Sequence, residues 1–408
     1  MKTRILLLVA SLLMLTGAAS AKPLKVGLIA PFTGVLATVG ASYKPAVKFV
    51  FDGYKAKAGD NGVDVVSYDD SSTTQGVADR FKQAIGEGVR VFLGGGTSAL
   101  TSQLLADIKT WNRRNPTDPA ILFIMVSEQA AFTGADCSFY TFRFATTTAM
   151  RVLALARVLQ ERGLLGQRIV SLQPEYSLGL EMEAAVVKYA DQFNYKVVNS
   201  VRFPAFKLSD FSPIVEKVRA SEPTVVITAV GSTDTPQLAK AVAASGLKTR
   251  FAGMYFDEPG TIGSAGDAIL GTYNAGIFNA EAAGSVGEAF RKSFVDTTGV
   301  EPRTYVNNSI IAMQMLTEAL KSLPPGTEVT QNNLVRAIEK AKLNWPMGEV
   351  SMRADDHQVV LPLVIVEASK DAKDKLDNTD IGLKPVKIVS AQDATAPVNP
   401  ECKMERPN

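Results

Sequence analysis

Histidine is nearly missing from this chain: His357 is the single one among 408 residues. A Ser–His–Asp or Cys–His catalytic site would have to be built on it. It stands in a polar turn, Arg353-Ala-Asp-Asp-His-Gln358, remote in sequence from any nucleophile elbow, so it reads as a structural or surface residue. Cysteine is as scarce, with Cys137 and Cys402 alone. One histidine and two distant cysteines form no nitrogen–sulfur ligand cluster, which excludes a zinc site of that kind. Neither sign of charge dominates: 43 Lys and Arg face 41 Asp and Glu, a formal +2. No basic face follows from such a composition, and this argues against nucleic acid as a partner. The Gly-Lys-Ser/Thr of a P-loop and the Gly-x-Gly-x-x-Gly of a dinucleotide fold are both absent, and no cofactor is expected. Past the first residues there is no run of the roughly 20 apolar residues that a membrane helix needs.

What is present begins with a leader. Lys2 and Arg4 precede an apolar run over 5–15, and Ala19-Ser20-Ala21 follows. This is the pattern of a secretory signal peptide, residues 1–21, cleaved after Ala21. The run is too short to span a bilayer, and no cysteine stands nearby to carry a lipid. An exported, soluble protein is expected. In an oxidising compartment the two cysteines suggest one disulfide, Cys137 to Cys402, holding the C-terminal end near residue 137; two separate thiols are the alternative.

The most telling stretch is 89–108. An apolar, β-branched run over 89–93 meets three glycines, Gly94 to Gly96, then Thr97 and Ser98. Leu100, Leu104, Leu105 and Ile108 follow at helical spacing. This is a buried strand, a tight turn and a helix with hydroxyls at its N-cap. Free backbone N–H groups and the positive helix end suit a carboxylate or phosphate there. The same turn also suits a β–α connection that binds nothing.

Strand and helix patterns alternate on both sides of this stretch. Strands are expected at 25–30, 63–68, 89–93, 120–126 and 139–144, with helices at 41–56, 74–85 and from residue 100. The series restarts near residue 146, with helices at 150–162, 178–193, 211–220 and 235–245 and strands at 168–172, 196–203, 224–230 and 250–254. Alternation of this kind means parallel sheets covered by helices, open and doubly wound. Two such series of similar length, without a Ser/Gly linker, suggest two lobes and a cleft. Three helices follow at 285–297, 305–323 and 331–341, then strands at 348–352 and 359–366. Residues 370–377 read as an exposed polar loop. Asp69 and Asp70 read as caps of the helix after them, or as cation ligands, and Trp111 and Trp345 as packing residues. A hydrolase with paired carboxylates would draw on Glu128, Asp257 or Glu258, none of which lies in a catalytic motif.

Taken together, several motifs resemble those of the type I periplasmic substrate-binding proteins of ABC importers, in the leucine/isoleucine/valine-binding branch. They are Lys25-Val-Gly-Leu-Ile-Ala-Pro-Phe-Thr-Gly34, Tyr68-Asp-Asp70, the turn from Gly94 to Thr101, Phe142-Arg143, Glu175-Tyr-Ser-Leu-Gly179 and Phe251-Ala-Gly253. In order, they run to about residue 366. The resemblance implies a Venus flytrap: two doubly wound parallel-sheet lobes joined by three crossover segments, closing on a ligand. Lobe 1 would be 22–144 plus 279–348, lobe 2 would be 145–278 plus 349–380, and 381–408 would be a tail returning towards lobe 1. The closed protein would dock as a monomer on an inner-membrane permease. A sensory module of the same fold is a further reading.

Position by position, the family's amino-acid site falls on Thr97 and Ser98 for the ligand carboxylate, Ser127 and Glu128 after the fourth strand, Tyr176, Gly231 and Ser232. The position whose carboxylate grips the ligand ammonium in the family is Tyr255 here, a departure that leaves Asp257, Glu258 or Glu128 as possible ammonium partners. Another departure is Val39, where an aromatic residue is common on the cleft wall. The carboxylate half of the site is kept and the ammonium half altered. The preferred ligand is therefore a small carboxylate without an α-amino group, an aromatic or short aliphatic acid flanked by Tyr176 and Tyr255. A branched-chain or other apolar amino acid is the alternative.

Overall fold

β-Branched runs buried on both sides pair most readily with their own kind, and here they form parallel strands. The computed structural model describes residues 23–34, 36–54, 62–324 and 329–407. The expected signal peptide lies outside them. The first sheet holds β1 (Leu24–Ala30), β2 (Val63–Asp69), β3 (Val91–Gly94), β4 (Ile121–Ile124) and β5 (Thr141–Arg143), ordered β2-β1-β3-β4-β5 with every neighbour parallel. Along β3, Val91 and Leu93 enter one hydrophobic core and Phe92 the other. Apolar residues on both faces are what a helix-covered parallel sheet requires.

In the second sheet β6 (Arg168–Pro174), β7 (Lys196–Phe203), β8 (Val225–Thr228), β9 (Arg250–Gly253) and β10 (Tyr273–Gly276) are parallel, in the order β7-β6-β8-β9-β10. The chain then returns to the first lobe as three helices, Ala280–Thr298, Thr304–Ser322 and Gln331–Lys340. Thr304–Ser322 packs on the first-lobe helix Tyr43–Val47. A small antiparallel sheet follows, with β11 (Lys342–Trp345), β12 (Gly348–Met352) and β13 (Val359–Val360). Finally β14 (Leu363–Ser369) and β15 (Gly382–Val389) join the second sheet, β14 antiparallel to β10 and β15 antiparallel to β14. The chain thus passes between the lobes three times, after β5, after β10 and after β13.

Four elements depart from the sequence reading, each for a local reason. The strand expected at 359–366 is two strands, because Pro362 lacks an N–H and breaks the ladder. The helix expected from residue 41 is two short helices and a π-turn, Lys48–Asp52, with Pro45 in its second segment; residues 55 and 56 lie outside the described residues. Asp69 and Asp70 do not cap the next helix. Thr73 does, accepting from the Gly76 N–H, while Asp69 accepts from the N–H groups of Phe32, Thr33 and Ser71 and braces the loop after β1. Gly382–Val389, assigned to the tail, is an edge strand of the second lobe. It carries Lys384, Pro385 and Lys387, residues that suit an edge, and the ladder register shifts beside Pro385.

Cys402, near the end of the chain, is joined to Cys137, which lies between β4 and β5 of the first sheet, with 5.5 Å between Cα atoms and a sequence separation of 265. Such a link stabilises by about 5 kcal/mol in the chain-entropy account. His357 is fully buried. Its Nδ1 lies 3.1 Å from the Thr141 carbonyl and its Nε2 lies 2.7 Å from Glu339, and its ring stacks on Phe142. It is a packing residue beside β5. Among the described residues no helix is long and apolar enough to cross a membrane.

Candidate functional site

Loops and helices leaving the carboxyl ends of strands in the two sheets touch each other, Ala130 with Glu181, Glu128 with Arg151 and Tyr255, in the region where ligands of open α/β sheets settle. On the first lobe the wall is the turn after β3. Gly95 has φ +99°, and a side chain there would bring its Cβ within 2.4 Å of the Thr101 hydroxyl, so glycine is demanded twice over. Tyr43 donates its hydroxyl to the Gly95 carbonyl and pins the turn from behind. Thr97 is the N-cap of the helix Ser98–Arg114 and accepts from the Leu100 N–H, an interaction generally worth about 1 kcal/mol. Ser98 opens that helix, and its hydroxyl lies 3.1 Å from that of Ser127, just beyond β4. Two hydroxyls and the unpaired N–H groups of a 17-residue helix form a donor wall fit for a carboxylate.

Glu128, the next residue, is buried and fully engaged. Arg151, from the second-lobe helix Thr148–Glu161, donates to it at 2.8 and 3.0 Å. The hydroxyls of Thr146 and Tyr255 donate to the same oxygen at 2.8 and 3.2 Å. Both members of the ion pair are almost wholly out of water, at 4% and 1% side-chain exposure. Burial opposes the Arg151 charge, but the Glu128 carboxylate outweighs it and holds the guanidinium protonated. Arg151 also lies over the Tyr255 ring, 5.3 Å from its centre, and donates to the Ala275 carbonyl. Tyr255, which stands where the family has a carboxylate for the ligand ammonium, directs its hydroxyl to Glu128. Burial and the Glu128 charge push its pKa well up, so the phenol stays protonated.

Glu258 is in a different state. It follows β9, is part-buried, and accepts from the Tyr305 hydroxyl at 2.7 Å and from the Ser232 N–H at 2.6 Å. Both donors are neutral, and no ion pair to it exists among the described residues. Burial raises its pKa above the ordinary carboxylate range, against those two hydrogen bonds. Gly231 faces it: a Cβ there would sit 3.8 Å from the Glu258 oxygen and 3.5 Å from the Tyr255 ring. Tyr176, at the start of the helix Ser177–Lys188, has its pKa raised by burial and then by Glu258, Asp234 and Glu128. The rings of Tyr255 and Tyr305 are 5.5 Å apart. Asp257, the other named acid, accepts from the Thr304 N–H at 3.3 Å.

The structure therefore gathers Ser98 with Ser127, and Tyr176, Gly231, Ser232, Tyr255 and Glu258 around the opposite wall. Sequence reasoning missed Arg151, Tyr305 and Glu181. Arg151 had left a signal, a lone cation in the otherwise apolar run from Met150 to Ala156, all of it buried. Glu181 bridges the cleft by accepting the Ala130 N–H at 2.9 Å, and nothing local marks it.

A periplasmic binding protein profile matches residues 23–373. The Leu/Ile/Val-binding protein homolog 4 of Brucella abortus is 36% identical over 400 residues, covering 97% of this chain and 96% of that protein. The crystal structure of a leucine-, isoleucine-, valine-, threonine- and alanine-binding protein from Brucella ovis, in its closed conformation, superposes with a TM-score of 0.92 at 34% identity, over 95% of this chain and 100% of that one. An ABC transporter solute-binding protein of Rhodopseudomonas palustris, in complex with 3,4-dihydroxybenzoic acid, shares the fold at a TM-score of 0.73 and 21% identity, over 90% and 98% of the two chains.

Proposed function

The chain belongs to the periplasmic binding protein family, and from that premise we propose that it captures an apolar or small amino acid in the periplasm and delivers it, as a monomer, to an ABC permease. Glu258 carries this reading. A part-buried carboxylate held by two neutral donors calls for a cation, and the ammonium of an amino acid supplies one. Glu128 does not compete, because Arg151 already neutralises it. The ligand carboxylate would rest on Ser98, Ser127 and the helix end behind them. The acid without an ammonium group, preferred from sequence, fits less well: it would set a second anion in the cleft that holds Glu258. The relatives that bind or are named for leucine, isoleucine and valine support the same choice. Ligand contacts to both lobes would favour the closed form by a population shift.

Calorimetry and thermal unfolding with leucine, isoleucine, valine, threonine and alanine test the proposal, with 3,4-dihydroxybenzoate as the comparison. Binding of at least one amino acid, with a rise in melting temperature, is expected. Binding of the benzoate and of none of the five would reverse the assignment. Ser98→Ala should weaken the amino acid by roughly 1–3 kcal/mol through a lost donor to its carboxylate. An unaltered Kd would take Ser98 out of the site.

A further inference from the structure

Three consecutive residues of the first lobe, Arg303, Thr304 and Tyr305, each hold a different carboxylate of the second. They begin the helix Thr304–Ser322. Arg303 pairs with Asp377 at 2.7 Å, both side chains largely withdrawn from water at 13% and 10% exposure. The Thr304 N–H donates to Asp257 at 3.3 Å, and the Tyr305 hydroxyl to Glu258 at 2.7 Å. Asp377 lies in the loop between β14 and β15, which the sequence marks as an exposed polar segment. That loop is instead strung along first-lobe helices. Lys373 meets Glu288 at 2.9 Å and Asp374 meets Arg291 at 3.6 Å before Asp377 reaches Arg303. Asp377 is itself anchored in the second lobe, accepting from the N–H groups of Ile262 and Gly263.

We infer that Arg303, Thr304 and Tyr305 form a closure latch that grips the second lobe through Asp377, Asp257 and Glu258. Glu258 alone of these three carboxylates is assigned to the ligand, and that part rests on the amino-acid reading above. Tyr305 is then a positioning residue, fixing the Glu258 carboxylate through one of its oxygens. Arg303 and Asp377 touch no ligand group, yet they stabilise the closed form and so set part of the affinity. Opening the lobes would break all three contacts together, and with them the Ala130 to Glu181 bond. The Ala130 amide is consequently a built-in reporter of closure.

The test is Arg303→Ala, with Arg303→Lys as the conservative variant. Three quantities are read: the Kd of L-leucine, its dissociation rate, and hydrogen exchange at the Ala130 amide with and without leucine. The expected result is a Kd higher by on the order of tenfold, faster dissociation and lower Ala130 protection, all partly restored in Arg303→Lys. Equal Kd and equal Ala130 protection in the unaltered protein and Arg303→Ala would overturn the latch. Should the unaltered protein bind no leucine, the amino-acid reading suffers separately. The latch is then judged on ligand-free Ala130 protection, where equality overturns it and a lower value in Arg303→Ala upholds it.

Discussion

Glu258→Gln is expected to weaken leucine binding by a hundredfold or more, on the order of 3 kcal/mol. Losing one partner of a desolvated charge pair generally costs about 2–5 kcal/mol. Glutamine keeps the shape: its one oxygen can accept from the Ser232 N–H, while its NH2 group can donate to the Tyr305 hydroxyl, which in the unaltered protein donates to the other carboxylate oxygen, so the loss reports chiefly the charge. Acidity supplies an independent check. Burial raises the Glu258 pKa, so the carboxylate takes up its proton above the ordinary carboxylate range, and leucine affinity should fall as pH drops through that region. The variant should show no such dependence. The sign for stability is the opposite. A raised folded-state pKa favours the folded protein at low pH, and that contribution is lost as pH rises. At neutral pH the ionised Glu258 is therefore a cost, and ligand-free Glu258→Gln should melt no lower than the unaltered protein. Calorimetry across pH measures the first effect and thermal unfolding the second. Undiminished leucine affinity in the variant would end the assignment of Glu258 to the ammonium.

Arg151→Met carries the other large effect, and it falls on stability. It leaves the Glu128 carboxylate buried with only hydroxyl donors, a condition that costs about 3–5 kcal/mol in general. The midpoint of urea unfolding should drop accordingly. Arg151→Met combined with Glu128→Gln should lose less than Arg151→Met alone, because no charge is then stranded. The two residues hydrogen-bond directly, so their effects should not add. Additive losses, or a single variant as stable as the unaltered protein, would show that the pair is not the closed unit described here.

Much of the architecture was legible because it is periodic. The glycine turn at Gly94 to Gly96, the cap at Thr97 and the strand Lys196–Phe203 are local patterns, and local backbone chemistry determines them. β10 escaped notice because a polar residue, Asn274, interrupts the apolar pattern of Tyr273–Gly276. β15 escaped because its lysines and proline read as a loop until a neighbouring strand gives it an edge. The partner of Tyr255 was illegible for another reason: its hydroxyl donates to Glu128, 127 residues away.

By itself, the amino-acid order determined the two helix-covered parallel sheets, the hydroxyl-capped turn that forms one wall of the cleft, and the cysteine pair that ties down the end. Only the tertiary structure decided which of two buried or part-buried acids has a cation beside it. Glu128 and Glu258 look alike in sequence. One is neutralised by Arg151, 23 residues further on, and the other is held only by neutral donors, the Tyr305 hydroxyl among them, 47 residues on. A carboxylate's state depends on the charges within a few ångströms of it, and in a two-lobed fold those arrive from the far side of the cleft.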